Sequence, residues 1–295
     1  VSAAEGSYDE GRAWHRYLSE EDWPDTFTYG HYYVIVPAKL KDKAKQWVQD
    51  VNDYGYSIMV DVLGHEPEIN NYIVNIIDIP DEAGYTGAYF GLREVDGIIG
   101  GYIELDIDLL RNLREYPKDL CGGLLYETIH GFTEPLKHDP KKPSKKRHHV
   151  IGKGEDFDII FEVETLSRLK ETLSRPDLTE CVNELYKYYY NNKKFPDFPI
   201  WWDVREEYGW EPIQKFIQTL EDLTQKGVYV NSDDDWCYYL SLSADKDLTS
   251  IFEKHGKTIS PETQEKIKED IKPSVTVNSP NGGENWEVGT QHAIT

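Results

Sequence analysis

The chain has 295 residues, 39% of them hydrophobic, 13% aromatic and 29% charged, which supplies a sizeable core and excludes a largely disordered chain. Its 54 acidic against 32 basic residues give a formal net charge of -22, so nucleic acid and anionic lipid are not expected partners. No apolar run reaches the roughly 18 residues a spanning helix needs, and Val1 to Ser7 lacks the features of a signal peptide, so the domain reads as soluble or already processed, with no membrane insertion.

Thr28 to Pro37, rich in Tyr, Val and Ile, predicts a strand. Ala38, Leu40, Ala44, Trp47, Val48 and Val51 then recur at helical spacing, which predicts a helix over 38–52. Asn71 to Ile79 returns to strand composition, and 84–106 holds two further strands. The second of these carries Gly100 and Gly101, a sign of a bulge or a close backbone approach. After Pro117 the pattern turns helical, with helices expected over about 118–131, 155–174, 177–191, 210–225, 233–244 and 247–255. Strands first and helices second predict an α+β fold over 1–271, with a strand-rich N-terminal lobe and a helical C-terminal lobe. Residues 137–149 form a basic, proline-containing loop to which no catalytic role is given. Cys121, Cys181 and Cys237 lack C-x-x-C spacing, and an oxidising compartment would permit a Cys181 to Cys237 bridge.

The segment Gly122-Gly-Leu-Leu-Tyr-Glu-Thr-Ile-His-Gly-Phe132 is an apolar helix interrupted by Tyr126, Glu127 and His130. Tyr126 and His130, four apart, share a helix face with Glu127 adjacent. H-E-x-x-H helices bind zinc with two histidines in that spacing and use the glutamate as general base, but here the first position is Tyr. On spacing alone the competing account is a helix whose polar groups satisfy one another beside the core.

Gly152-Lys-Gly-Glu-Asp-Phe-Asp-Ile159 is similar to the Glu-Gly-Phe-Ala-Asp type of segment that supplies the third zinc ligand in gluzincin peptidases. The resemblance implies Glu155 as third ligand and Asp158 as a partner supporting His130, with Glu162, about two turns further on, as the alternative ligand. Tyr208-Gly-Trp-Glu-Pro212 and Asp235 to Gly256 resemble the helical lobe of enhancin-like, mucin-targeting zincin peptidases, so the likeness spans about residues 28–270. It implies a zincin-like domain in which Glu127 is the general base, Tyr126, His130 and Glu155 face the metal, and Tyr208 is a candidate for stabilising the oxyanion. An edge strand at Ile98 to Leu105 would hold the peptide by strand addition.

Replacing an imidazole by a phenol of ordinary pKa near 10 weakens such a site, because the phenol must ionise before it binds metal well. Zinc is therefore expected to bind weakly or not at all. The reading is an extracellular metallopeptidase-like domain with impaired or lost proteolysis; the alternative is a non-catalytic binding or structural domain of a surface assembly. Residues 272–295, with Pro280-Asn-Gly-Gly-Glu-Asn-Trp286, resemble the opening strands of an immunoglobulin-like surface module, the start of a β-sandwich. Expected partners are extracellular protein, glycoprotein or glycan, and further modules of the same parent chain, in a secreted or cell-surface location. Tyr186 to Tyr190 and Phe195 to Trp202 are read as core aromatics or as a sugar platform. His65, His148, His149 and His255 are read as loop or surface histidines.

Overall fold

The computed structural model describes residues 24–79, 87–95, 98–111, 123–137, 149–152, 155–175 and 177–271. The proposed module at 272–295, Cys121, His148 and nearly all of the basic loop lie outside them. The chain is α+β, with every described strand before residue 107 and only helices after it.

Five strands form one sheet in the order β1-β2-β3-β5-β4, from β1 (Pro24–Tyr29), β2 (Tyr32–Pro37), β3 (Tyr72–Ile77), β4 (Ala88–Val95) and β5 (Ile98–Asp106). The single strand expected over 28–37 is thus a hairpin, turned at Gly30, whose φ of +52° suits glycine. β2, β3 and β5 run parallel, while β1 and β4 close the two edges antiparallel. β5 is therefore interior, and β4, not Ile98 to Leu105, is the edge strand of that side. Alternation puts Tyr32, Val34, Val36, Tyr72, Val74, Ile76, Ile103 and Leu105 on one buried face.

Helix α1 (Lys41–Asp50) continues through a wide turn, Val51–Tyr56, into α2 (Ser57–Leu63), so the helix is longer than its sequence periodicity suggested. In the wide turn, Asn52 accepts a hydrogen bond from the His31 amide at 3.1 Å, and Tyr56 stacks on His31 at 3.7 Å. After the short α3 (Ile107–Arg111), α4 (Gly123–Lys137) packs against β4 and β5. Two glycines set that approach: a Cβ on Gly101 would lie 2.5 Å from the Tyr72 ring, and one on Gly131 would lie 2.3 Å from its hydroxyl. The ring fills the gap and donates its hydrogen bond to the Ile69 carbonyl at 2.9 Å.

α5 (Asp156–Thr172) packs on α4 and is followed by α6 (Asp177–Tyr189), α7 (Phe198–Tyr208), α8 (Glu211–Gln225), α9 (Asp233–Ala244), α10 (Thr249–Lys254) and α11 (Pro261–Asp270). α7 and α11 were not expected. In α7 the Phe-Pro-Ile-Trp-Trp run reads as core aromatics or a sugar platform, and Pro199 sits in the first turn of a helix, where its missing N–H costs nothing. α5 and α7 run in the same direction, because Asp156 accepts from the Asp197 and Phe198 amides at 2.7 and 3.0 Å while Glu164 binds Arg205 at 2.9 Å.

Cys181 and Cys237 are buried thiols with no bridge between them, which corrects the disulfide expectation. His149 is also not a surface residue: it is buried, accepts from the Val230 amide at 3.0 Å through Nδ1, and so carries its proton on Nε2 toward Leu220 and Thr224. His255 is half-buried and contacts Asp203 at 2.7 Å, and His65 contacts Glu221 on the surface.

Candidate functional site

Tyr126, His130, Thr133 and Lys137 recur at intervals of four, three and four along α4 and form one polar stripe. α5 supplies the opposing groups. The Tyr126 hydroxyl donates to Glu155 at 2.9 Å, and the two aromatic rings of Tyr126 and His130 meet edge to face at 5.0 Å. His130 Nδ1 lies 3.5 Å from Asp158 Oδ2 and its ring stacks with Phe90 of edge strand β4 at 5.6 Å. Tyr126, His130, Glu155 and Asp158 are thus brought together.

Asp158 is fully buried and is the centre of the inner half of the stripe. It accepts from Thr133 and from Lys137, whose ammonium reaches Oδ1 at 2.6 Å and bonds Oδ2 as well. Burial alone would raise the Asp158 pKa, but Lys137 and then His130 hold it below its ordinary value. The helix expected over 118–131 stops short of Thr133 and Lys137, and Lys137 reads as part of the basic loop, whereas buried Phe132 and Leu136 carry α4 on to Lys137. The four-three-four spacing was the signal that would have found them.

Glu127, next to Tyr126, is 5% exposed. Burial, followed by the negative charges of Glu155, Asp158 and Glu162, pushes its pKa up to about 8. At pH 7 this shift favours its protonated, neutral form. Glu162 is buried on α5 and adds to this negative field without replacing Glu155 as the partner of Tyr126. Glu155 itself is exposed, in the position just before α5. Tyr208 stands at the other end: with Asp156 at the Phe198 level and Glu164 at the Arg205 level, the last turn of α7 is roughly 9–14 Å along α5 from Asp158 at 1.5 Å per residue. Its pKa is raised to about 12 by burial and then by Glu207, and its placement does not bring it to the stripe.

The donor set does not fit zinc. Tyr126 donates its hydrogen bond to Glu155, and burial, then Asp158 and Glu155, push the phenol well above its ordinary 10, so Tyr126 is not presented as an ionised metal ligand. His130 is the single imidazole of the stripe, and among the described residues no three His, Cys, Asp or Glu side chains are grouped to hold a metal.

No family model and no curated protein matches the chain. Two solved structures resemble it: a functionally unknown conserved protein from Bacillus anthracis str. Ames, with TM-score 0.45, and a mutant of a protein so described from the same organism, with TM-score 0.46. Each is 12% identical over 85% of this chain and 52% of its own, so the chain spans about half the length of those structures.

Proposed function

We propose that the chain is a pseudopeptidase: a zincin-like domain that has exchanged its first zinc ligand for Tyr126 and serves as a non-catalytic binding domain for extracellular protein or glycoprotein. The observation that carries this is the 2.9 Å hydrogen bond from Tyr126 to Glu155, which joins the positions of the first and third ligands to each other. The antiparallel edge strand β4, with Phe90 against His130, supports an extended peptide held by strand addition beside the stripe. The neutral Glu127 supports the loss of proteolysis, since a general base must be ionised to take a proton from water. The acidic composition and the surface-module resemblance of 272–295 support a secreted or cell-surface location.

Titration calorimetry with zinc on the wild type and on Tyr126→His, followed by a casein cleavage assay, tests this. The wild type should bind zinc weakly or not at all and leave casein intact. Tyr126→His should bind more tightly, because it removes the donor that occupies Glu155 and adds a neutral nitrogen one turn from His130. Tight zinc binding and casein cleavage by the wild type, abolished in Glu127→Gln, would overturn the proposal. No gain on Tyr126→His would argue against the zincin likeness itself.

A further inference from the structure

The C-terminal turn of α6 and the bend that follows it carry a cluster of rings at the surface. Tyr188 is 59% exposed, the most open large apolar side chain among the described residues. It is held at its edges, meeting Tyr189 at 4.7 Å with planes 86° apart and Phe195 at 6.5 Å. Phe195 meets Tyr189 in turn at 4.6 Å, and Tyr189 packs on Phe198, which is wholly buried. The exposed ring is therefore positioned through two half-buried ones that are anchored in the core.

The bend is fixed by its own hydrogen bonds: the Asn192 side chain accepts from the Lys194 amide at 3.0 Å, and the Asn192 carbonyl accepts from the Phe195 amide at 2.9 Å. Lys187, Lys193 and Lys194, adjacent in sequence to these rings, are exposed and have no ion-pair partner among the described residues. Three exposed cations close in sequence to an open ring, unpaired among the described residues, are unusual in a chain of net charge -22.

We propose that this patch binds an acidic carbohydrate, a pyranose bearing a carboxylate or sulfate. The C–H face of a pyranose is flat, apolar and slightly positive, which suits the negative face of Tyr188, and the lysines meet the anionic substituent. The patch shares no residue with the Tyr126 stripe. It does lie at the same end of α5, since Asp156 holds the start of α7 at Phe198, and a glycoprotein lying along β4 would present its sugars on that side. The proposal does not depend on whether the domain ever held zinc.

Saturation-transfer NMR and titration calorimetry with 3′-sialyllactose, a heparin-derived tetrasaccharide, lactose and an oligo-glutamate peptide provide the test. At least one acidic sugar should bind saturably, with lactose about tenfold weaker or undetectable, and affinity should fall with added salt. Tyr188→Ala should lose binding by about tenfold or more, as truncating a stacked aromatic anchor does. The double variant Lys193→Gln with Lys194→Gln should reduce an acidic sugar to the level of lactose. Failure of both acidic sugars to bind, or binding unchanged in Tyr188→Ala, would overturn the proposal. Equal or stronger binding of the peptide would overturn it in favour of an acidic protein segment.

Discussion

The two ends of the polar stripe on α4 are built on opposite principles. At the outer end, half-buried Tyr126 meets exposed Glu155 through one hydrogen bond between a neutral phenol and a carboxylate. At the inner end, His130, Thr133 and Lys137 surround a carboxylate with no exposure at all. Removing one member of the inner cluster strands a charge in a low-dielectric interior, whereas water can replace either member of the outer pair. The difference teaches that a site can change its chemistry at the rim while its foundation stays fixed.

Lys137→Met tests the foundation and carries the largest expected effect. It leaves Asp158 buried without its main countercharge, and urea unfolding should show a loss of about 3–5 kcal/mol. A loss below about 1 kcal/mol would mean that the inner end is no more critical than the rim.

Glu127→Gln sharpens the comparison through pH. Because the folded-state pKa is raised from an ordinary 4.5 to about 8, wild-type stability is unaffected by this group below pH 4.5, falls as pH rises between those values and levels off above them. Gln stays neutral throughout. The variant should match the wild type near pH 4 and exceed it by on the order of 4 kcal/mol near pH 8, read from unfolding curves at both pH values. A constant difference across that range would place the Glu127 carboxyl in a more hydrated setting than its burial indicates.

Tyr126→Phe is the smallest change, removing one hydroxyl from the rim. About 0.5–1.5 kcal/mol should be lost in the same measurement. A loss approaching that of Lys137→Met would erase the distinction between the two ends.

Much of the fold was legible in the sequence because period and composition agreed with burial. The helix of 233–244 coincides with its expected range, and Gly100-Gly101 does mark a close approach, at Tyr72. The strand order was not legible, since nothing local in Ile98 to Leu105 says that Ala88–Val95 will cover its outer edge. Tyr126, Glu127 and His130 were visible through spacing on one helix, and Asp158 came with the likeness to gluzincins. Lys137 was hidden because it reads as part of the basic loop, and only tertiary burial of Leu136 and the ion pair to Asp158 carry α4 past Pro135. Tyr208 was chosen by proximity in sequence, which does not report that α7 runs alongside α5 in the same direction.

The parallel ladder of β2, β3 and β5 has a consequence for biogenesis. α1 packs on β1 and β2 and leaves the ribosome soon after them, but β4 and β5 wait for α4, whose residues 123–137 are made later. At roughly 5–20 residues per second, the inner faces of Phe90, Ile103 and Leu105 stay uncovered for about a second or longer in each nascent chain. Chains that stop short of α4 should therefore be sticky and a target for chaperones or proteases, and fragments of this protein that end near residue 111 should aggregate when those that end at 271 do not.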